Sequence, residues 1–563
     1  MARPSPVQAS APTLTPAQRF PAAAPYLEAL AEGRLLIKHC SACGSAHFYP
    51  REHCPFCGHA PTEWLTTRGV GTLYSFSIVR GAKRPTAVAV VELPEGPRIT
   101  TSVIDADVFG LRIGDPVELH VSEGAEGVPA ATFTTPEANR ARAYAAQALR
   151  AAANGISTDD DAPPLRQAAV VGAGSMGSGI TTALLAAGLP VTLIDRSEAV
   201  LESARLAVGS HFDAMIKRGR LSAEDAAARR AALHLSTRVD DVAQADLVIE
   251  AVWEQLALKQ EIFAQIDRHA PPHAILGSNT SALDIDRIAD ATSRPGQVVG
   301  LHFFSPAHVM PLLEVVRGPR TRPEVVASAQ RLGARLRKTA VVVGVCHGFV
   351  GNRLLIARDQ EADRLLLEGA LPQQIDRVLT EFGLPMGSYE LADMAGGIEL
   401  VHRVRQERGQ HDPILAGLVA AGRLGQKTGK GFYRYEPGKR RPIPDPEVTA
   451  LIEQASRELG IERRAIGDDE VRDRLLLPMI NEGAKLVEEG IVDRASDIDV
   501  VWQRGFGWPA WRGGPMYHAD QLGAERVHER LCELQERFGE RFRPAALLER
   551  LAREGGRFVP GAD

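Results

Sequence analysis

Four cysteines near the N-terminus have the spacing of a metal site. Cys40 and Cys43 form one C-x-x-C pair, and Cys54 and Cys57 form a second pair one short loop later. Each pair can turn the backbone so that both thiolates face inward, and four thiolates complete the tetrahedral shell of Zn²⁺. Because no coordination position is left for water, the predicted zinc site is structural. Two unrelated redox pairs are the alternative interpretation.

A glycine-rich turn forms the second group of chemically informative residues. Gly172, Gly174 and Gly177 lie between a short apolar run and an apolar segment typical of a helix. Gly172 permits a tight turn, Gly174 allows the backbone to approach a pyrophosphate, and Gly177 allows close packing of helix on strand. Asp195 ends the next predicted strand and can accept hydrogen bonds from both ribose hydroxyls. The pattern therefore predicts a dinucleotide site that prefers NAD to NADP, a preference that Arg196 weakens.

Five polar residues follow predicted buried strands further along the chain. Polar side chains at the carboxyl ends of parallel strands line the crevice in which ligands bind. A sixth polar residue, Glu314, lies within an apolar run and needs a partner if it is buried. One of the five, His302, carries an imidazole, which in its neutral form can accept a proton near pH 7. The five residues are Glu254, Lys259, Asn279, Ser281 and His302.

The elements that must position these residues change along the chain. Residues 68–135 alternate apolar and polar positions between turn sequences, which predicts a small barrel of about five strands. From residue 168 to residue 343, strand and helix patterns alternate, which predicts a parallel sheet. Residues 346–435 and 465–558 then have helical patterns, and the second segment aligns loosely with the first, which predicts an internal repeat.

The composition excludes several classes of protein. The chain has 563 residues, a net charge of −5 and six cysteines, four of them clustered, so neither a nucleic-acid surface nor a disulfide framework is expected. No apolar run reaches the length of a membrane span, and the first residues lack the apolar core of a secretory signal. These features predict a soluble, cytoplasmic protein of several domains.

Sequence motifs over most of the chain resemble the 3-hydroxyacyl-CoA dehydrogenases. The resemblance extends from about Ala168 to Phe558, and its C-terminal part is similar to the duplicated domain of the multifunctional β-oxidation enzymes. It implies NAD-dependent oxidation of (S)-3-hydroxyacyl-CoA to 3-ketoacyl-CoA. The matching motifs are Val171–Asp195, Glu250–Lys259, Ser278–Ser281, Gly300–Pro306, Leu313–Val316 and Gly348–Arg353.

The resemblance also implies a role for each site residue. His302 matches the family's base and Glu314 its carboxylate partner, while Ser281 and Asn352 match hydrogen-bonding residues on the substrate side. Three further residues match positions near the cofactor or substrate, namely Glu254, Lys259 and Asn279. Ser305 departs from the family, which usually has Asn before this proline.

The N-terminal part resembles a different group of proteins. The helix, the cysteine quartet and the strand order over residues 20–136 are similar to the zinc-ribbon and OB-fold acyl-CoA-associated proteins that accompany thiolases. This resemblance implies docking or CoA-ester handling. An OB barrel that binds single-stranded nucleic acid is the alternative, but such barrels need a basic groove with stacking aromatics. This barrel has few aromatics and many acids.

These observations together predict a multidomain fold. A zinc ribbon and an OB-like β-barrel precede an α/β Rossmann-type NAD-binding domain and two all-α domains. The predicted bounds are 1–19 for a disordered leader, 20–66 for helix and zinc ribbon, 67–136 for the barrel, 137–166 for a linker, 167–345 for the Rossmann domain, and 346–440 and 465–558 for the two helical domains.

The predicted partners follow from the same resemblances. We expect an acyl-CoA substrate, a thiolase or an enoyl-CoA hydratase as a protein partner, and no nucleic acid or membrane span. A homodimer is one expected arrangement, and a second helical domain that replaces the partner's copy is the other. Two rival functions stay open: a 3-ketoacyl-CoA reductase of a biosynthetic or aromatic-degradation pathway, and a non-catalytic scaffold for a thiolase.

Overall fold

In the computed structural model of the protein, the chain folds into two units. The first unit comprises Met1–Arg142 and the second Ala143–Asp563. The predicted leader, residues 1–19, lies outside the described residues. No helix among the described residues is both long and apolar enough to cross a membrane. The described residues are 23–80, 85–124, 127–155, 164–395, 397–407, 409, 411–439 and 441–561.

The first unit begins with the zinc-ribbon segment. Helix α1 (Ala24–Ala31) precedes a three-stranded antiparallel sheet in the order β2-β1-β3. Its central strand β1 is paired on both sides, with Lys38 opposite His47 in one neighbour and opposite Trp64 in the other. The strands are β1 (Leu36–His39), β2 (Ala46–His47) and β3 (Glu63–Thr66).

A closed five-stranded barrel completes the first unit, in the order β4-β5-β6-β8-β7. Alternate residues point into the barrel, as the period of two requires, and Ala87, Ala89 and Val91 of β5 are all buried. The predicted OB-like barrel is therefore confirmed. Its strands are β4 (Val70–Val79), β5 (Thr86–Glu92), β6 (Arg98–Val103), β7 (Pro116–Glu123) and β8 (Pro129–Thr134).

Helix α2 (Pro136–Asn154) occupies most of the predicted linker, residues 137–166. It begins in the first unit and ends in the second. Tyr144, in its third turn, is buried, and its ring stacks on Tyr517 with centroids 4.4 Å apart. This part of the predicted linker is thus packed structure, while residues 156–163 lie outside the described residues.

An eight-stranded sheet forms the α/β part of the second unit, in the order β11-β10-β9-β12-β13-β14-β15-β16. The pairs are parallel except that β15 is antiparallel to β14. Most central strands are buried along their whole length because helices cover the sheet. The strands are β9 (Ala168–Val171), β10 (Val191–Ile194), β11 (Leu233–Ser236), β12 (Leu247–Glu250), β13 (Ile275–Ser278), β14 (Val298–Phe303), β15 (Leu312–Arg317) and β16 (Thr339–Gly344).

Helices connect these strands, as the predicted Rossmann-type alternation requires. The first of them, α3, starts directly after the glycine-rich turn. The helices are α3 (Ser175–Ala186), α4 (Glu198–Lys217), α5 (Ala223–Ala231), α6 (Leu256–His269), α7 (Ile285–Ala289) and α8 (Pro323–Arg335).

The rest of the second unit is helical, apart from the short pair β17 (Tyr433–Arg434) and β18 (Ile443–Pro444). Its longest helices, α9 and α15, pack against each other along their lengths. The helices are α9 (Gly351–Glu368), α10 (Pro372–Phe382), α11 (Ser388–Ala395), α12 (Ile398–Glu407), α13 (Pro413–Ala420), α14 (Pro446–Glu458), α15 (Asp468–Glu488), α16 (Ala495–Gly505), α17 (Pro515–Leu522), α18 (Ala524–Phe538) and α19 (Ala546–Glu554).

The helical part contains the same hydrogen-bond arrangement twice. Asp376 accepts hydrogen bonds from the backbone N–H groups of Tyr389 and Glu390 at the start of α11. Asp499 accepts the same pair of bonds from Met516 and Tyr517 at the start of α17. Each acid caps the N-terminus of the next helix. A carboxylate is favourable there because it accepts hydrogen bonds from free N–H groups at the positive end of the helix dipole.

A second pair of acids repeats in the same order. Asp393 accepts from the N–H groups of Phe432 and Tyr433, and Asp520 accepts from those of Phe558 and Val559. Tyr433 and Val559 are therefore equivalent positions. We call residues 351–435 the first helical copy and residues 468–559 the second helical copy.

The two copies differ in which hydroxyl group donates a hydrogen bond to the buried acid, Asp376 or Asp499. The Tyr433 hydroxyl donates to Asp376 at 2.7 Å in the first helical copy. Val559 has no hydroxyl, and Tyr144 of α2 donates to Asp499 at 2.6 Å instead. Helix α2 thus supplies a group that the second helical copy lacks.

Candidate active site

The glycine-rich turn has a backbone path that only glycine can follow. Gly172 has a φ of +103°, and a Cβ there would lie 2.7 Å from the carbonyl oxygen of Ala251. A Cβ on Gly177 would lie 1.7 Å from the Gly172 carbonyl oxygen, so close helix packing excludes any side chain. Gly174, by contrast, faces open space at its Cβ position. That space lies at the N-terminus of α3, where backbone N–H groups can bind phosphate.

Asp195 lies immediately beside this turn. Its carboxylate accepts hydrogen bonds from the backbone N–H groups of Ala173 at 2.9 Å and Ser197 at 3.0 Å. The strand β10 ends at Ile194, so the carboxylate is held at the sheet edge next to the glycines. Open space for a pyrophosphate and an adjacent fixed acid for a ribose fit NAD, so the predicted cofactor residues are brought together.

Glu254 organises a loop at the edge of the sheet. One of its carboxylate oxygens accepts hydrogen bonds from the backbone N–H groups of Ser281 at 2.8 Å and Ala282 at 3.2 Å. The hydroxyl of Thr280 donates to the same oxygen. Ser281 is exposed, so its own hydroxyl is accessible to a ligand. Glu254 and Ser281 are therefore adjacent.

Lys259 is buried and joins Glu254 to a second acid. Its Nζ lies 3.3 Å from Glu254 and donates at 2.7 Å to Glu250, which is itself fully buried. Glu250 also accepts a bond from Ser278 Oγ at 2.7 Å. Buried charges need such partners. Glu250 is not among the site residues predicted from the sequence, although an acid at the end of an apolar strand is a signal that could identify it.

His302 and Glu314, the predicted base and its carboxylate partner, contact each other in the structure. His302 Nδ1 lies 2.6 Å from Glu314 Oε2, and both side chains are buried. His302 and Glu314 are opposite each other in the antiparallel β14–β15 pair, which fixes their separation. A carboxylate at Nδ1 favours the tautomer that has its proton there, so Nε2 keeps a lone pair.

Glu314 connects this pair to Asn352. Its other oxygen, Oε1, accepts a hydrogen bond at 2.9 Å from the backbone N–H of Gly351, the first residue of α9. Asn352 is the next residue and is partly exposed. Asn352, whose amide is predicted to bind substrate, is therefore next to the residue that holds the Glu314 carboxylate.

Asn279 links the two groups of polar residues. Its Oδ1 accepts a hydrogen bond at 2.9 Å from the backbone N–H of Phe303, the neighbour of His302. The Asn279 N–H in turn donates to the Glu250 carbonyl. Ser305, the departure from the family pattern, lies two residues after Phe303. The geometry supports the predicted roles of these residues, which remain predictions.

The four cysteines of the first unit come together in space. Their sulfur atoms all lie within 4.8 Å of one another, with Cys40 3.6 Å from Cys57 and Cys43 3.7 Å from Cys54. A tetrahedron with Zn–S bonds of about 2.3 Å has sulfurs about 3.8 Å apart. The four thiols therefore fit one Zn²⁺.

The two cysteine turns have the same backbone hydrogen bonds. The Cys40 N–H donates to the Ser45 carbonyl and the Cys54 N–H to the His59 carbonyl, while Gly44 and Gly58 close each turn. These bonds direct the paired sulfurs of both turns toward one point. The site is closed by four protein ligands, as a structural zinc site requires.

Comparison with known families accounts for nearly all of these parts. Residues 167–346 match the family described as "3-hydroxyacyl-CoA dehydrogenase, NAD binding domain". Residues 348–435 and, again, 471–557 match its C-terminal domain, which agrees with the two helical copies. Residues 27–62 match the "ChsH2, rubredoxin-like zinc ribbon domain", and residues 64–122 the "ChsH2, C-terminal OB-fold domain".

Individual relatives match the dehydrogenase part. The peroxisomal bifunctional enzyme of Danio rerio is 42% identical over 386 residues, which are 65% of this chain and 53% of that protein. The Homo sapiens peroxisomal bifunctional enzyme is 37% identical over 415 residues, 70% of this chain and 57% of that protein. The chain thus spans only about half the length of these curated relatives.

Two solved structures share the architecture. The 3-hydroxybutyryl-CoA dehydrogenase of Escherichia coli has a TM-score of 0.60 at 28% identity, over 70% of this chain and 99% of its own. The dehydrogenase part of multifunctional enzyme 1 from C. elegans has a TM-score of 0.54 at 30% identity, over 73% of this chain and 96% of its own. With its NAD-binding fold, its histidine–glutamate pair and its duplicated helical domain, the chain belongs to the 3-hydroxyacyl-CoA dehydrogenase family.

Proposed function

We propose that this protein oxidises (S)-3-hydroxyacyl-CoA to 3-ketoacyl-CoA, with NAD as the acceptor, in the β-oxidation of fatty acids or related acyl-CoA esters. The observation that carries the proposal is the buried His302–Glu314 pair at 2.6 Å. The pair lies in the same unit as a glycine turn and an acid that fit a dinucleotide. Bound NAD would supply a hydride acceptor for C3.

The proton of the substrate hydroxyl goes to His302 in this proposal. With the Nδ1 proton held by Glu314, Nε2 accepts the proton as the C3–H bond breaks. The imidazole then becomes an imidazolium, which the Glu314 carboxylate stabilises, as the acid of a hydrolase triad does. Gly351 holds the other carboxylate oxygen, so Glu314 cannot turn away.

Uncharged side chains would orient the substrate. Asn352 and Ser281 both reach the surface of the site and can hydrogen-bond the oxygens of the acyl group. Lys259, Glu250 and Glu254 form a hydrogen-bonded network that fixes the loop carrying Ser281. These residues therefore set geometry, while His302 moves the proton.

The reverse reaction uses the same atoms. A protonated His302 can return its proton to a 3-keto oxygen, so reduction of 3-ketoacyl-CoA is the second candidate direction. The scaffold alternative would have no need of a buried base with a hydrogen-bonded carboxylate. The completeness of the His302–Glu314–Gly351 arrangement favours an enzyme.

The N-terminal unit would serve docking or CoA-ester handling. Its zinc-ribbon segment carries two exposed aromatic residues, Tyr49 and Phe56, which are 74% and 68% exposed. Large exposed aromatics are typical of protein interfaces. A thiolase, or an enoyl-CoA hydratase, is the proposed partner. Within the dehydrogenase part, the second helical copy would take the place of a helical domain that a second subunit would otherwise supply. A molar-mass measurement should then find a monomer, and a homodimer is the alternative outcome.

A cytoplasmic location is part of the same proposal. None of the six cysteines forms a disulfide in the structure, which suits a reducing compartment. Fractionation of cells against cytoplasmic and peroxisomal markers tests this location, and enrichment with the peroxisomal marker would contradict it.

Absorbance at 340 nm tests the proposed reaction. The purified chain is mixed with NAD and a panel of (S)-3-hydroxyacyl-CoA esters that vary in chain length, branching and aromatic character. Absorbance should rise with at least one ester and not with the His302→Gln variant. Activity only with 3-ketoacyl-CoA and NADH would favour the reductase, and no activity with any ester in either direction would favour the scaffold.

A further inference from the structure

An aromatic residue of the second helical copy lies against the proposed base site. Phe506 follows the last residue of α16, Gly505, and is half-buried. Its ring contacts Phe304 edge to face, with centroids 5.6 Å apart and an angle of 83°. A Cβ on Gly351 would lie 2.8 Å from Phe506 Cε2, so the ring also covers Gly351.

Phe304 and Gly351, the two residues that Phe506 covers, each contact the His302–Glu314 pair directly. Phe304 lies against the His302 imidazole, with centroids 4.5 Å apart. Gly351 donates its backbone N–H to Glu314, whose other oxygen holds His302. Phe506 therefore supports the imidazole through a ring on one side and through the carboxylate on the other.

The adjoining residues keep Phe506 in place. Trp502, fully buried one turn earlier in α16, stacks on it with centroids 4.4 Å apart and an angle of 20°. Gly505 lies so close to β15 that a Cβ there would be 2.8 Å from Leu312 Cδ2. The end of α16 is thus packed against the strand that carries Glu314.

The first helical copy does not use its equivalent phenylalanine in this way. Phe382 also precedes a glycine after the acid that caps the next helix, but its ring contacts Trp508 and His518, with centroids 5.0 and 5.2 Å apart. The contact with the base site therefore belongs to the second helical copy.

We propose that Phe506 is a positioning residue for the reaction, through which the second helical copy orients His302 and keeps water from the Glu314 carboxylate. The proposal rests on the proposed function of His302 as the base. Displacement of a catalytic group by a fraction of an ångström lowers rates sharply, so loss of the ring should lower turnover more than stability.

The test compares one substitution at two phenylalanines of the second helical copy. Phe506→Leu removes the ring at the base site, and Phe542→Leu is the control because Phe542 is buried against Phe538 and the structure gives it no contact with the base site. Phe506→Tyr keeps the ring. Phe506→Met repeats the comparison with a larger flexible side chain if the leucine variant melts early.

Two readouts are used, one of which needs no turnover. Phe506→Leu should lower kcat about tenfold and leave the KM for NAD within about twofold, while Phe506→Tyr and the control stay within about twofold of wild type. The second readout is the downfield ¹H resonance of the His302 Nδ1 proton, assigned by its loss in His302→Gln. That resonance should broaden through exchange with water in Phe506→Leu alone.

The outcomes separate this inference from the proposed function. If the wild-type chain oxidises no 3-hydroxyacyl-CoA, the proposed function fails, and the proton resonance still tests whether Phe506 shields the pair. If the wild-type chain is active and Phe506→Leu matches Phe542→Leu in kcat and in the resonance, Phe506 is ordinary packing and the inference is overturned.

Discussion

At the scale of single residues, the His302–Glu314 pair makes the clearest prediction. His302→Gln removes the proton acceptor and leaves the glycine turn and Asp195 untouched. We therefore expect kcat to fall at least about a hundredfold while the Kd for NAD stays near that of the wild type. Exposed His234, changed to Gln, is the matched control. A full-rate His302→Gln enzyme would remove this residue from the mechanism.

Asp195 makes a second prediction at this scale, about cofactor choice. Its carboxylate is fixed next to the glycine turn by two backbone N–H groups, where a 2′-phosphate would be repelled. The wild type should have a higher kcat/KM with NAD than with NADP. Asp195→Ala should lower the ratio of the two kcat/KM values at least about tenfold, a change of about 1.4 kcal/mol. The exposed acid Asp213, changed to Ala, should leave the ratio unchanged. Equal kcat/KM for both cofactors in the wild type would refute the role.

At the scale of elements, helix α2 defines where the dehydrogenase part begins. Its Tyr144 donates to the buried Asp499, a bond that Tyr433 makes to Asp376 in the first helical copy. A chain that starts at Pro136 keeps this bond, whereas a chain that starts at Gln167 leaves the acid without its hydroxyl. We expect the shorter chain to melt several degrees lower, because a buried carboxyl group that loses its hydrogen-bond partner costs about 1–3 kcal/mol.

Point substitutions check that the hydroxyl itself is responsible. Tyr144→Phe should lower the melting temperature of the full chain, and Val559→Tyr should recover part of the loss of a Tyr144→Ala variant by recreating the first-copy arrangement. Equal melting temperatures for chains that begin at Pro136 and at Gln167 would show that α2 adds nothing to the second helical copy.

The zinc ribbon makes a further prediction about an element. Four sulfurs at tetrahedral spacing leave no open position, so the metal should stabilise the ribbon without taking part in oxidation. Cys40→Ser should abolish the one bound zinc measured by mass spectrometry and unfold the ribbon locally. The control Cys532→Ser should keep its zinc. Loss of oxidation by Cys40→Ser at every substrate concentration would place the ribbon in the active site.

At the scale of the whole molecule, the half-buried His518 predicts how stability depends on pH. Burial among Phe382 and Trp508, with nearby Arg512 and Arg472, lowers the pKa of His518 to about 3. Between this value and the ordinary pKa of about 6.5, the unfolded chain binds a proton that the folded chain does not. Stability should therefore fall as pH decreases through this window, by about 1.4 kcal/mol per pH unit from this group.

Removal of the imidazole should remove that part of the slope. Between pH 6 and 4, the free energy of unfolding of His518→Phe should fall less steeply than that of the wild type, by the slope that corresponds to one proton taken up on unfolding. Denaturant unfolding followed by tryptophan fluorescence measures both slopes. The same substitution at the exposed His234 is the matched control. Identical slopes for wild type and His518→Phe would mean that His518 becomes protonated in the folded chain.

The sequence by itself determined the parts of this protein that depend on local order. The spacing of Cys40, Cys43, Cys54 and Cys57 predicted their convergence, because each pair lies within one turn of chain. The fingerprint glycines and Asp195 likewise belong to one strand–helix–strand unit. The motif that resembles the dehydrogenase family identified His302 as the base, and the apolar run around Glu314 required a partner for its carboxylate.

Only the tertiary structure decided which distant residues complete the site. Glu314 is held by Gly351, Lys259 by Glu250, and the base site is covered by Phe506. A phenylalanine or a glycine has no chemical signature of its own, so its role depends on what folding places beside it. The same reason explains Tyr144, which the sequence assigns to a linker and which the fold pairs with Asp499, 355 positions away.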